Sequence, residues 1–370
     1  MSSPLIVLTS NTSWYLFNFR KSTILALVQK GFRVVCLSPQ DNYSERLAEM
    51  GAEHIALPLD GKSTGILQEL RSFRFIWQFM RRHNPDFAFN FTVKMNIYSG
   101  LVCALLQIHF ANNISGLGTA FIHDSWLFRR VRQVYGLVNR RAERLFFQNE
   151  EDLEVFRDSG LLGNTSVILL PGSGVDLQRF KQSKLPLEKP ITFIMIARLL
   201  GDKGVREYAA AASMLGKWGI EARCLLLGQL GASNRTAISS EEVLAWQAEG
   251  LIDYLGETDD VRGHIARAHV LVLPSYREGM PRTVLEAAAM GRPAIVTDVP
   301  GCRHAIEPGV TGWLCKARDS ESLAEQMCNV AKMERAELQM AGDAARRRME
   351  GNFSEQVVVD AYLKCLDSYG

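Results

Sequence analysis

The sequence lacks most marks of a specialised protein class. Its seven cysteines (36, 103, 224, 302, 315, 328 and 365) are scattered, and none form a C-x-x-C pair. Neither a zinc site nor a disulfide framework is indicated, and the thiols read as small packed hydrophobes. No apolar run is long enough to cross a bilayer. The longest, residues 101–110, falls well short of the roughly 20 apolar residues needed. Charge of either sign is not in excess: 42 Lys and Arg against 40 Asp and Glu leave a formal +2. That balance argues against a nucleic-acid binder, while leaving room for local basic clusters. The first residues, SSPLIVLTS, show no basic leader or cleavage site, so the chain is expected to be cytosolic and soluble.

What is present is an ordinary globular composition, 47% hydrophobic and 22% charged. At about 100–200 residues per domain, 370 residues imply two domains. Short apolar strands at 5–8, 33–37, 54–57 and 87–90 alternate with helical patterns at 17–30, 45–50, 66–82 and 97–106. That rhythm is the mark of a parallel sheet with helices on its faces. It starts afresh after 181–190, a stretch with two prolines, several charges and no periodicity that reads as a linker. Beyond it, strands at 191–197, 222–227, 252–254, 270–273 and 294–296 alternate with helices at 205–218, 241–249 and 261–267. The expected domains are 1–183 and 184–353, with a last helix, 354–370, packing back on the first. Two doubly wound halves place a ligand cleft at the carboxyl ends of their strands.

The stretch 274–291, PSYREGMPRTVLEAAAMG, organises the second half. Glu278 and Glu286 stand eight positions apart, with Gly279 and Pro281 between them. Proline suits the first helical position, because the N–H it lacks would be an orphan there. A helix is therefore expected from Pro281 through Ala289, ended by Gly291-Arg292-Pro293. The N–H groups of Arg282, Thr283 and Val284, with the positive end of the helix dipole, make an anion site. Glu286, inside the helix, can accept two sugar hydroxyls, and Glu278 stands in the loop ahead of the phosphate position. The pattern suits a ligand carrying both phosphate and sugar. The alternative is a surface helix with ordinary N-terminal acids.

These residues resemble the E-x7-E signature of retaining glycosyltransferases of the large family 4. That family has the GT-B architecture, two facing Rossmann-like domains with parallel sheets and a cleft between them. Ala197-Arg198-Leu199-Leu200 with Asp202-Lys203-Gly204 resembles its phosphate-binding R-x4-K-G turn. Leu226-Leu227-Gly228 and Tyr254-Leu255-Gly256-Glu257 resemble its nucleotide-base loops, and Asp298 to Arg303 with Gly309 to Gly312 its closing segment. In the first half, Asn11-Thr12-Ser13-Trp14, Asn18-Phe19-Arg20, Asn90 to Lys94, Asn96-Ile97-Tyr98 and Ser115-Gly116-Leu117-Gly118 are similar to a narrower bacterial group. Its members extend undecaprenyl-diphosphate-linked sugars with a hexosamine.

The resemblance implies a retaining transfer of a hexose or N-acetylhexosamine from a UDP-sugar to a polyprenyl-diphosphate-linked sugar. The place would be surface-glycan or protein-glycan assembly, peripheral on the inner face of the bacterial cytoplasmic membrane. Arg198 and Lys203 would stabilise the departing diphosphate, whose charge grows as the glycosidic bond breaks. Glu286 would bind the ribose and Glu278 would stand near the donor sugar and α-phosphate. The backbone of Gly279, Met280 and Pro281, with Thr283, would approach the sugar, and Gly228 and Glu257 would lie by the base. No Asp-x-Asp motif occurs, in keeping with a metal-independent enzyme that needs no cofactor. Rival readings are a transferase with a soluble acceptor and a non-catalytic nucleotide-sugar-binding subunit.

On the acceptor side the chain departs from the family. Ser115 stands before Gly116 where many members carry His; His123 lies nearby, and its alternative role is structural. His304 follows Cys-Arg where relatives tend to have Glu. Asn18, Arg20 and Lys94 are expected near strand ends, with Arg20 and Lys94 holding the acceptor's diphosphate. The other reading of Arg20 is local pairing. On the helix 66–82, Ile66, Leu70, Phe73, Trp77 and Met80 form the expected core stripe. Phe75 and Phe79, flanked by Arg71 and Arg82, would then face an anionic membrane. The alternative is that another element covers the two phenylalanines.

Overall fold

A computed structural model of the protein describes residues 3–59, 66–116, 126–231 and 236–367. The chain forms two compact units, Met1–Ser173 with Gln356–Gly370, and Gly174–Glu355.

The first unit is a seven-stranded sheet of β1 (Leu5–Thr9), β2 (Arg33–Ser38), β3 (Glu53–Ala56), β4 (Phe87–Phe91), β5 (His109–Ile114), β6 (Arg144–Phe147) and β7 (Ser166–Leu169). Every neighbouring pair is parallel, in the order β3-β2-β1-β4-β5-β6-β7. Its helices are α1 (Ser13–Gln29), α2 (Ser44–Glu49), α3 (Ile66–His83), α4 (Val93–Leu106), α5 (Trp126–Asn139) and α6 (Glu150–Asp158). All five residues of β1 and of β4 are buried, as a parallel strand covered on both faces must be. One apolar cluster gathers residues of α3, α4 and α5. A second gathers those of α1 with Val358, Tyr362, Cys365 and Leu366.

The second unit has six parallel strands, β8 (Ile191–Ile196), β9 (Ala222–Leu227), β10 (Asp253–Tyr254), β11 (Val270–Leu273), β12 (Ala294–Thr297) and β13 (Gly312–Cys315). Their order is β10-β9-β8-β11-β12-β13, the 3-2-1-4-5-6 winding of a Rossmann sheet, which takes ligands where the order reverses. The reversal here lies between β8 and β11. Its helices are α7 (Val205–Lys217), α8 (Ser240–Ala248), α9 (Arg262–Ala266), α10 (Arg282–Ala289), α11 (Cys302–Ala305), α12 (Ser320–Ala331) and α13 (Arg335–Asn352). The closing helix, α14 (Glu355–Asp367), supplies the four residues just named to the first unit's core.

The boundary lies at Ser173/Gly174, ahead of the expected 183/184. The stretch 181–190 is not a linker; it belongs to the second unit, where Phe180 and Leu185 join the core. The cause is Arg292, only 1% exposed. Its guanidinium donates to the carbonyls of Ala268 (2.8 Å), Ser183 and Met290 (2.7 Å each), Ala266 (2.9 Å) and Lys184 (3.0 Å), and to the Ser183 hydroxyl (3.0 Å). A buried charge is tolerated only when fully hydrogen-bonded, and burial still pulls this arginine down to about 10. Arg292→Leu strips those carbonyls of their donor and should cost about 3–5 kcal/mol, read as a lower urea midpoint. Arg292→Lys, with fewer donors, should recover only part of it. An unchanged midpoint in Arg292→Leu would refute the anchoring role.

Candidate active site

The candidate site is built from the loops that leave β8 and β11. After β8 the chain runs through Arg198 into a tight turn, Gly201–Lys203, and then Gly204 at φ 79°. A Cβ on Gly204 would run into the Pro274 carbonyl, so glycine lets the two loops touch. The Tyr276 N–H then donates to the Asp202 carbonyl at 2.9 Å. This contact sets Lys203 Nζ 2.6 Å from Glu278 Oε1, an oxygen that also accepts from Ser275 Oγ at 2.7 Å. Both charged side chains are largely buried, at 18% and 15% exposure. Arg198 differs: its guanidinium is exposed and makes no ion pair with a described residue. Behind Glu278, a Cβ on Gly301 would strike the Glu278 and Gly279 carbonyls, and the Pro300 carbonyl accepts from the Glu278 N–H at 3.3 Å. The segment Asp298 to Arg303 therefore supports the glutamate's backbone.

Gly228, after β9, has no room for a Cβ against the Ala197 carbonyl. Its N–H donates to the Gly256 carbonyl at 2.8 Å, and its own carbonyl accepts from the Tyr254 hydroxyl at 2.9 Å. Three strand-end loops are thus joined through backbone, with Glu257 exposed on the outermost.

Pro281 precedes α10 as its cap, at φ −76° and ψ 106°, and Arg282 is the first helical residue. This corrects the expected donor set. The Val284 N–H is spent on the Pro281 carbonyl at 3.1 Å and is not open to a ligand, while Thr283 stays half-buried at the helix start. Glu286 is 8% exposed, and Arg282 Nε donates to its Oε1 at 2.7 Å across one helical turn. Burial pushes the Glu286 carboxyl up, and the Arg282 charge opposes the rise. Arg282 enters the expected set only by its backbone N–H; its side chain is not among the expected site groups. Its signal was the i,i+4 spacing to Glu286.

In the first unit the outcome is different. Arg20 is fully buried, donating to the Tyr15 hydroxyl at 3.1 Å with its guanidinium 4.7 Å from the Phe91 ring centroid. It is a core arginine, and holding an acceptor diphosphate is excluded by burial. Lys94 Nζ lies 2.7 Å from Glu69 Oε1, whose other oxygen accepts from Tyr98 at 2.8 Å, so its charge is met locally. The Asn18 amide donates to the Trp14 carbonyl at 3.0 Å. Ser115 and Gly116 follow β5, half-buried, with open space beside Gly116. His123 lies outside the described residues. Just ahead of α4, Thr92 sits at φ 74° and ψ 149°, a strained conformation of the kind found at functional sites.

The expected core stripe of α3 holds at Met80, which is buried, and at Phe73 and Trp77, which pack half-buried against the core, but Leu70 and the two phenylalanines expected outside depart from it. Phe79 is buried at 7% exposure and Phe75 packs half-buried against the same core, whereas Leu70 is 60% exposed. The sheet takes Ser72, Ile76, Phe79 and Met80 inward, and Ser72 Oγ donates to the Pro58 carbonyl at 2.6 Å. Arg71 and Arg82 are exposed.

Comparison with known proteins agrees with this geometry. Residues 177–348 match the family of glycosyl transferases group 1. An N,N'-diacetylbacillosaminyl-diphospho-undecaprenol alpha-1,3-N-acetylgalactosaminyltransferase of Campylobacter jejuni is 29% identical over 370 residues, 95% of each chain. A putative colanic acid biosynthesis glycosyltransferase of Escherichia coli is 29% identical over half of this chain and 47% of its own length. Among solved structures, Anabaena HepE in complex with UDP-glucose superposes with a TM-score of 0.80 at 17% identity, over 98% of this chain and 99% of that one. Sucrose-phosphate synthase from Thermosynechococcus elongatus gives 0.81 at 16% identity, over 99% and 98%. Residues 177–348 thus form a glycosyl transferases group 1 domain, and the chain has the GT-B fold of two Rossmann-like domains.

Proposed function

We propose that this protein is a retaining hexosaminyltransferase that uses a UDP-N-acetylhexosamine and extends a polyprenyl-diphosphate-linked sugar in bacterial surface-glycan or protein-glycan assembly. The observation that carries it is the buried Lys203–Glu278 pair on the two loops that meet at the sheet reversal, with the exposed Arg198 on the first of them. A leaving nucleoside diphosphate there meets a guanidinium able to grip it bidentately and a buried ammonium already held by Glu278. Glu286 accepts the ribose hydroxyls, with Arg282 keeping it ionised. The sugar's bond to the diphosphate breaks as the acceptor oxygen attacks the same face, and the acceptor proton passes to the leaving phosphate oxygen. The two-carboxylate scheme of glycoside hydrolases does not apply, because one carboxylate is paired with Lys203 and the other is buried with Arg282. With two cations in place, no divalent metal is required. The lipid-linked acceptor is inferred from the Campylobacter relative, whose substrate name carries one.

A thermal-shift and donor-hydrolysis screen of UDP-, GDP- and dTDP-sugars, with and without EDTA, tests the donor. One UDP-hexosamine should stabilise the protein equally in both conditions; no shift with any nucleotide sugar would overturn the reading. Arg198→Ala should lower kcat by about 10²–10³-fold while the melting temperature holds. Glu286→Ala should weaken donor binding, and normal binding would remove the ribose role.

The Arg282–Glu286 pair generates a pH prediction. Burial already raises the Glu286 carboxyl, and its ionised form is the hydroxyl acceptor. Donor affinity should therefore fall as pH drops through its pKa. Arg282→Gln removes the opposing charge, so this loss should begin at a higher pH than in the parent protein. Superimposable pH profiles of donor Kd would show that Arg282 does not hold the carboxylate.

A further inference from the structure

The loop after β11 is gripped by side chains that neither the diphosphate reading nor the ribose reading uses. Tyr276 stands two residues before Glu278, and its N–H donates to the Asp202 carbonyl, one residue before Lys203. Its hydroxyl donates to Glu207 Oε1 at 2.5 Å, in the first turn of α7. The other oxygen, Glu207 Oε2, is buried and has no hydrogen-bond partner among the described residues. The Arg318 guanidinium lies 4.7 Å from the centroid of the Tyr276 ring, carried on a backbone at φ 60° in the loop after β13. One residue before Tyr276, the Ser275 carbonyl accepts from the Thr297 hydroxyl at the end of β12. Burial first, and then the bond to Glu207, push the Tyr276 hydroxyl up to about 12, so it keeps its proton and stays the donor at neutral pH.

We propose that Tyr276 is a positioning residue for the Lys203–Glu278 pair, with Glu207 as the anchor through which it acts. Its use in the reaction rests on the diphosphate role given above to Lys203. Glu278 is tied to its own loop through Ser275, whereas Lys203 belongs to the turn after β8. Their 2.6 Å contact therefore needs the two loops to keep one spacing. The close approach of Gly204 to Pro274 limits that spacing from below but does not pull the loops together. Tyr276 supplies the pull at two points, its N–H on Asp202 and its hydroxyl on Glu207, one on either side of Lys203 in the chain. Ties that straddle Lys203 fix the tilt of its turn as well as the distance. With Glu207 Oε2 already unpartnered, losing the hydroxyl leaves both oxygens of that carboxyl without a partner, a costly state that favours keeping the bond. Arg318 bears on the ring, whose face attracts a cation. Its left-handed backbone is one that a non-glycine residue holds only when the surrounding structure imposes it.

The test is a set of full-chain variants read by slow hydrolysis of UDP-N-acetylglucosamine and UDP-N-acetylgalactosamine, and by hydrogen exchange of the backbone amides at 201–204 and 275–280. Tyr276→Phe should lower kcat by about 10- to 100-fold, the scale of a displacement near 1 Å at a reacting centre, with a smaller loss of donor affinity. Exchange in both segments should quicken. Glu207→Gln keeps a carbonyl for the hydroxyl and should retain most of the parental kcat, whereas Glu207→Leu should match Tyr276→Phe. Adding Tyr276→Phe to Lys203→Ala should lower kcat no further, because a residue that acts through Lys203 has nothing left to position. Additive losses in that pair would overturn the proposal. So would a Tyr276→Phe variant that melts earlier yet keeps the parental kcat, which would make the bond an ordinary tie of the fold. If Lys203→Ala alone keeps the parental kcat, or neither donor is hydrolysed, the diphosphate reading fails and exchange decides the positioning. Faster exchange at 201–204 in Tyr276→Phe would then uphold it, and unchanged exchange would remove it.

Discussion

The contact of Gly204 with the Pro274 carbonyl is the constraint on which the site depends. It lets the loops after β8 and β11 lie against each other at the sheet reversal, and everything functional in the second unit is positioned from there. The Lys203–Glu278 pair, the Tyr276–Asp202 backbone bond and the exposed Arg198 all follow from two strand ends being brought into touch. Any side chain at residue 204 would push those loops apart. A charge misplaced by an ångström at a reacting centre costs far more in rate than in stability. Gly228 against Ala197 and Gly301 against the Glu278 backbone repeat the device around the same site.

Arg292, Arg20 and Glu286 are buried charged residues handled in three different ways. Arg292 is surrounded by carbonyls and holds the segment Ser183 to Leu185 in place. Arg20 lies among aromatic rings, within 6 Å of Tyr15, Phe91 and Tyr362, where cation–π attraction stands in part for lost water. Tyr362 also accepts from the Asn113 amide, which ties the closing helix to the first sheet. The Glu286 carboxyl is pushed up by burial, and Arg282 beside it opposes the rise.

Much of the fold could be read directly, because apolar runs of strand length alternating with helical patterns have few other solutions. The spans of β9 and β11 coincide with their expected ones. The regions left unread, from β5 to β7 and from α11 to α13, are those where the pattern blurs. From β4 and β5 to the first turn of α4 and the end of α5, Asn90, Asn96, Asn112, Asn113 and Asn139 are buried and hydrogen-bond to one another and to the backbone. Polar residues there suggest a loop until their partners are known. The stretch 181–190 misled for a related reason: proline and charge suggest a linker, and only Arg292, more than a hundred residues away in sequence, shows that it is packed.

The sequence by itself determined the doubly wound class and the helix that follows Pro281, because those depend on local periodicity and on spacing within one loop or helix. Tertiary structure alone decided which charges are available. It buried Arg20 among aromatic rings and paired Lys94 with Glu69. It joined Lys203 to Glu278 and Arg282 to Glu286, and turned α3 so that Phe79 is core while Leu67, Leu70 and four arginines face out. The reason is that a helix with aromatics all around has more than one possible apolar face. The sheet it packs on selects one of them.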